Sequence, residues 1–210
     1  MKKVILMIAF VTISVTNSNA QATDNRDVVS FGFKAGTNYS NVYDEQGNDF
    51  VADSKFGLAV GGFVSIPFGK MIGIQPEILF SQKGFKSTGT YLGSTYSMTR
   101  TTDFIDVPLL FAVKPVSQLT LLFGPQFSYL LEQRDEFTGG TISSTQQQDF
   151  NNNDITKNIL ALTGGVDVNV ESLVLGVRAG WDIKTNEGDG NSSTPRYKNM
   201  WYQATVGYRF

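Results

Sequence analysis

Apolar and polar residues alternate along most of the chain, in eight stretches: 28–40, 55–67, 71–85, 100–114, 119–134, 155–170, 173–184 and 199–210. Successive side chains of a strand point to opposite faces, so a period of two predicts a strand with one apolar and one polar side. The last stretch is the clearest. Tyr202, Ala204, Val206, Tyr208 and Phe210 form an apolar face, and Gln203, Thr205, Gly207 and Arg209 the other. The connections also alternate in kind. Residues 68–70, 115–118 and 171–172 are tight, whereas 41–54, 86–99, 135–154 and 185–198 are long and polar. Short turns at one end and long loops at the other predict an all-β fold, an eight-stranded antiparallel up-and-down transmembrane β-barrel.

The two faces differ in chemistry. One carries Phe31, Phe33, Leu58, Val60, Ile78, Val107, Leu109, Phe123, Leu162, Val177 and Trp181 with no charge among them. A Lys or Arg facing lipid near the midplane costs about 2–4 kcal/mol, so this is the face expected to meet lipid. Tyr39, Tyr129, Trp181, Tyr202, Tyr208 and Phe210 lie near strand ends, where aromatic girdles meet headgroups. The opposite face holds Lys34, Gln75, Glu77, Lys83, Asp106, Lys114, Gln126, Glu132, Arg134, Asp167, Arg178, Asp182, Lys184 and Arg209, interleaved with glycines. Eight strands leave room only for the barrel's own side chains, so these charges are expected to pair across a packed interior. Glu77, Asp106 and Asp167 are expected to meet Lys34, Arg178 and Arg209.

A soluble lipocalin-like barrel also has eight antiparallel strands, with the polarity reversed. Alternation alone does not separate inside from outside. The glycines on the charged face and the two chain ends favour the membrane. Lys2-Lys3, the apolar stretch from Val4 to Val15 and Ser18-Asn19-Ala20 read as a signal peptide over 1–20, cleaved between Ala20 and Gln21. About a dozen apolar residues are too few for a spanning helix, which needs roughly 20. The barrel domain then occupies 21–210.

Charge and composition narrow the function. The chain has 17 basic and 19 acidic residues, and loss of Lys2 and Lys3 leaves the mature chain at a net charge of about −4, against nucleic-acid binding. His and Cys are both absent, which excludes Ser/His/Asp and Cys/His nucleophiles, His-based zinc sites and a lipid-modified N-terminal Cys. No enzymatic activity and no cofactor are expected. Glu77 and Asp106 form a conceivable acid/base pair, but paired interior carboxylates are the simpler reading. Calcium is the metal to weigh, from Asp44, Glu45, Asn48, Asp49 and Asp53 in the first loop and Asn186, Glu187, Asp189 and Asn191 in the fourth. Their spacing fits no EF-hand, and a solvated acidic loop is expected.

Gly32-Phe33-Lys34-Ala35-Gly36-Thr37-Asn38-Tyr39-Ser40, residues 74–84 (IQPEILFSQKG), Asp106-Val107-Pro108-Leu109-Leu110, Gly124-Pro125 and the closing Val206-Gly207-Tyr208-Arg209-Phe210 together resemble the PorT-like family of outer membrane β-barrel proteins. The resemblance spans the mature chain and rests on the order and spacing of these motifs. It implies a multi-pass barrel in the outer membrane of a Gram-negative cell, without established enzymatic activity; some relatives are linked to secretion and gliding machinery. It also implies that Tyr208 and Phe210 form the C-terminal signal read by the barrel-assembly machinery. The expected role is structural or surface-interacting, through four extracellular loops that contact an envelope or external partner, with the termini in the periplasm and the barrel a monomer in lipid. The alternatives are a narrow solute pore and an accessory part of a secretion or motility apparatus.

Overall fold

The computed structural model describes residues 26–43, 52–91, 94–139, 142–148, 157–184 and 197–210. They form nine strands: β1 (Ser30–Tyr43), β2 (Ala52–Pro67), β3 (Ile72–Tyr91), β4 (Ser94–Val116), β5 (Leu119–Gly139), β6 (Ile142–Gln148), β7 (Asn158–Val170), β8 (Leu173–Asp182) and β9 (Lys198–Arg209). Eight of them close into a ring, in which each strand pairs antiparallel with its sequence neighbour, β5 passes to β7, and β9 returns to β1. Closure runs from Gly32 opposite Arg209 to Tyr43 opposite Lys198. A closed ring leaves no sheet edge in lipid, where unpaired N–H and C=O groups are costly.

Side chains divide by parity as the alternation requires. In β1, Phe31, Phe33, Ala35 and Tyr39 are exposed while Lys34, Asn38 and Ser40 are buried. In β9, Tyr202, Val206, Tyr208 and Phe210 point out and Trp201, Gln203 and Thr205 point in. The core is therefore the barrel interior, and the outer surface is apolar. The interior also takes apolar groups. Leu110, Ala112 and Leu122 form one buried cluster, Phe104, Leu130 and Ile159 a second, and Val42, Phe85 and Tyr197 a third. Runs such as Leu109-Leu110-Phe111-Ala112-Val113 are apolar on both faces, which hides the inward member from a period-two reading.

The structure corrects the sequence reading in three places. First, much of 86–99 is strand, since β3 and β4 stay paired up to Tyr91 opposite Ser94. Similarly, β5 runs to Gly139 and pairs with β6 inside the expected third loop. Beyond Phe85 and Asp135 the described side chains on both faces of these strands are at least partly exposed, so Ser- and Thr-rich ladders form there without alternation. Second, β5 has a register shift: Phe104 lies opposite Leu130, and Asp103 opposite Glu132. Leu131 is the extra residue of a β-bulge, and one extra residue sends every later side chain to the other face. Glu132 and Arg134 accordingly lie outside, while Gln133 and Asp135 are buried. Third, Lys184 is exposed beyond the end of β8.

Candidate functional site

The candidate site is the interior, whose polar side chains stack in tiers. At its centre Lys34 of β1 and Arg178 of β8 both bind one carboxylate, Glu77 of β3. Lys34 Nζ donates to Glu77 Oε2 at 2.7 Å, and Arg178 Nη1 donates to the same oxygen. Arg178 Nη2 lies 3.3 Å from Asp167 Oδ2, and Gln75 Nε2 donates to Glu77 Oε1 at 2.9 Å. These side chains are buried, with Glu77 0% and Arg178 3% exposed. Two cations against two carboxylates leave the tier neutral, which is the condition for holding charges out of water. Arg178 Nε alone in this tier has no hydrogen-bond partner among the described residues.

Glycines make the space. Lys34 lies opposite Gly61 on β2 and Gly207 on β9, and Gly176 faces Asp167 and Thr205 so closely that a Cβ would sit 2.7 Å from Asp167 Oδ1. A long charged side chain can lie across the neighbouring strand only where that strand has no side chain of its own.

Asp106 belongs to a different tier. It pairs with Lys83 of β3 at 3.0 Å, and neither Arg178 nor Arg209 reaches it. Lys83 and Asp106 sit opposite Thr102 and Leu79 in the β3/β4 register, several residues toward the long-loop end from Glu77. Lys83 Nζ also lies 3.8 Å from the Trp201 ring centroid and 4.8 Å from that of Phe104. Aromatic faces stabilise a desolvated ammonium, and this box is built from three strands. Nearby, Asn38 Nδ2 donates to Ser81 Oγ, and Gln203 Nε2 donates to Asn38 Oδ1.

Arg209 is likewise in another layer. It donates to Asn169 Oδ1 and to the Glu171 carbonyl at the tight-turn rim, because its register partner Gly32 lies two residues below Lys34. Lys114, bonded to Ser65 Oγ at 2.9 Å, shares this rim. At the opposite mouth, Arg100 makes a two-pronged bond to Asp135, 2.7 Å on each arm, and donates to Tyr197 Oη at 3.2 Å. Sequence reasoning missed this pair because the unshifted alternation of β5 points Asp135 outward, and only the bulge at Leu131 turns it inward.

Tyr208 and Phe210 lie on the outer face, where Phe210 packs on Phe31 at 5.4 Å and on Tyr208 at 5.1 Å between ring centroids. Ala20 and Gln21 lie outside the described residues, as do Asp44, Glu45, Asn48, Asp49, Asn186, Glu187, Asp189 and Asn191; Asp53 is exposed near the start of β2. No group of three or more acidic side chains disposed to hold a metal occurs among the described residues.

A closed eight-stranded barrel, apolar outside and ionic within, defines an integral outer membrane β-barrel. The chain belongs to the outer membrane protein beta-barrel domain family, whose family model matches residues 19–186. Among solved structures it is similar to Ail, the attachment invasion locus protein of Yersinia pestis, at 14% identity and a TM-score of 0.47, covering 86% of this chain and 98% of that one. It is similar to Neisserial surface protein A at 14% identity and a TM-score of 0.44, covering 86% and 97%. Similarity to OprG of Pseudomonas aeruginosa is 13% identity with a TM-score of 0.37, covering 86% and 95%. No curated protein sequence matches the chain.

Proposed function

We propose that the protein is a non-conducting outer membrane scaffold that acts through what it displays at its long-loop end. The observation that carries this is the sealed interior: Glu77 and Arg178 are 0% and 3% exposed, and their tier joins β1, β3, β7 and β8 side chain to side chain. A barrel filled this way has no role for a lumen, so recognition falls to the β3–β4 and β5–β6 hairpins and the segments beside them. The lack of His and Cys supports a non-enzymatic role.

Several finer features belong to this reading. The tight turns and both termini face the periplasm, and the hairpins face outward. Residues 1–20 are a signal peptide cleaved between Ala20 and Gln21, and 21–210 is a single barrel domain, a monomer in lipid. Tyr208 and Phe210 serve as the insertion signal for the barrel-assembly machinery, Lys34, Glu77, Asp167 and Arg178 form its central interior ionic network, and within its family the chain is PorT-like.

Planar-bilayer recording on the purified barrel tests the main point. The expected result is no stable open state, and a steady ohmic conductance would replace the scaffold reading with the narrow pore. Affinity purification from native membranes then separates a free-standing surface protein from an accessory part of a secretion or motility apparatus, which would bring down stoichiometric partners.

A further inference from the structure

Three prolines stand inside the wall: Pro76 of β3, Pro108 of β4 and Pro125 of β5. Backbone bonds beside the turns fix which residues point at which neighbour. Phe68 N donates to Ile72 O, Lys114 N to Met71 O and Leu130 N to Lys157 O. By the alternation of an antiparallel ladder, Pro76 then occupies a hydrogen-bonding position toward β2, Pro108 toward β3 and Pro125 toward β4. None has an N–H to give. The carbonyls left without that donor are Val64, Glu77 and Leu109.

The pairing lapses at these positions. The β2/β3 ladder passes from Phe63 opposite Glu77 to Ile66 opposite Ile74, skipping Val64 and Pro76. The β3/β4 ladder skips Glu77 and Pro108, and the β4/β5 ladder skips Leu109 and Pro125. Val64 leads to Pro76, its neighbour Glu77 to Pro108, and its neighbour Leu109 to Pro125, so the lost rungs form one unbroken row across three interfaces. The row stops at both ends, where Phe31 pairs with Val64 and Pro125 pairs with Leu162. Val64, Leu109 and Pro125 are exposed on the lipid side, where a missing backbone bond is least tolerated. In a closed sheet such a row is costly, and chance does not place three prolines on consecutive hydrogen-bonding positions.

We infer that this row is a hinge line. Above it, β3, β4 and β5 run on into the projecting hairpins, so the upper part of this wall can bend outward about the row while the lower barrel and the β7–β9 side stay rigid. The inference stands whether or not the hairpins bind a partner.

Hydrogen exchange of the full barrel in lipid nanodiscs tests it. The amides of Leu79, Asp106 and Phe127, next to the row, should exchange about fivefold or more faster than those of Gly176 and Thr205 in the intact β8/β9 ladder. Replacing the prolines by P76V, P108V and P125V should abolish that contrast, each restored rung slowing its neighbours about fivefold. Should the triple variant fail to fold, P125V alone, on the lipid face, should slow Phe127. The chain lacks Cys, so nitroxide pairs can be introduced freely. A pair at Ser87 and Lys184 should give a distance distribution that narrows in the variant, while a pair at Ser117 and Ser172 should not change. Equal exchange around the wild-type wall, or an upper-pair distribution as broad after proline replacement as before, would overturn the hinge.

Discussion

Arg178 joins two carboxylates that would otherwise face each other in a desolvated interior, so its removal leaves Glu77 and Asp167 with Lys34 as their remaining cation. Arg178→Ala should therefore lower stability by about 3–5 kcal/mol, read as a fall in the denaturant midpoint of the folded barrel. Replacing Lys34, Glu77, Asp167 and Arg178 all together by apolar residues of similar volume should recover most of that loss, because the burial cost of all four charges disappears with them. Gly180 makes a second point about single residues. A Cβ there would sit 2.3 Å from the Trp201 ring, which also lies beside Lys83. Gly180→Ala should push the indole aside and cost about 1–3 kcal/mol. With Trp181→Phe removing the other tryptophan, a red shift of the remaining emission reports the displacement, and an unshifted spectrum would mean that the ring has room. Lys34, Glu77, Asp167 and Arg178 could be listed from the sequence because each falls on the charged parity of its strand. Which partner each takes could not, since that depends on height in the barrel, and a residue list carries parity without height; this is why Asp106 and Arg209 turned up in other tiers.

At the scale of elements, β5 decides how far parity can be trusted. Alternation is sound up to Leu130, and the bulge at Leu131 then exchanges the faces. The sequence Glu132-Gln133-Arg134-Asp135 is polar throughout, so nothing in it marks the exchange. The structure converts this into a contrast between neighbouring acids. Asp135→Ala strips Arg100 of its two-pronged partner in a pair only about a tenth exposed and should cost about 3–5 kcal/mol. Glu132→Ala breaks a pair with Arg134 whose side chains are 30% and 45% exposed, and should cost under about 1 kcal/mol. Equal midpoint shifts for the two variants would contradict the bulge. The β7–β8 turn offers a gain instead of a loss. Glu171 has a φ of 54°, in the left-handed region that suits Gly and Asn. Glu171→Asn should raise stability by up to about 1 kcal/mol. The tight turns were legible from their short spacing, whereas the hairpin extensions of β3, β4 and β5 were not, because a strand wetted on both sides has no reason to alternate.

The whole molecule depends on one rule, that odd and even positions of the wall meet different solvents. Val177 is 64% exposed on the lipid face, and the adjacent Arg178 sits in the central ionic tier. Exchanging these two residues changes neither composition, charge nor strand propensity in any important way, yet it puts a guanidinium in hydrocarbon and a valine between two carboxylates left with Lys34 alone. The lipid-side error alone costs about 2–4 kcal/mol, and the interior error adds the loss already expected for Arg178→Ala. Their sum is comparable to the whole stability of a small domain. The V177R/R178V chain should consequently be absent from the outer membrane fraction, and it should fail to fold into lipid vesicles under conditions where the wild-type chain inserts. Val177→Ala, which keeps the face apolar, should insert normally. The comparison separates the two-solvent rule from hydrophobicity as such, since the swapped and native chains have the same number of apolar residues. Insertion of the swapped chain at native yield would mean that the barrel is held together by its backbone ladder alone, with the interior pairing and the lipid contact both incidental.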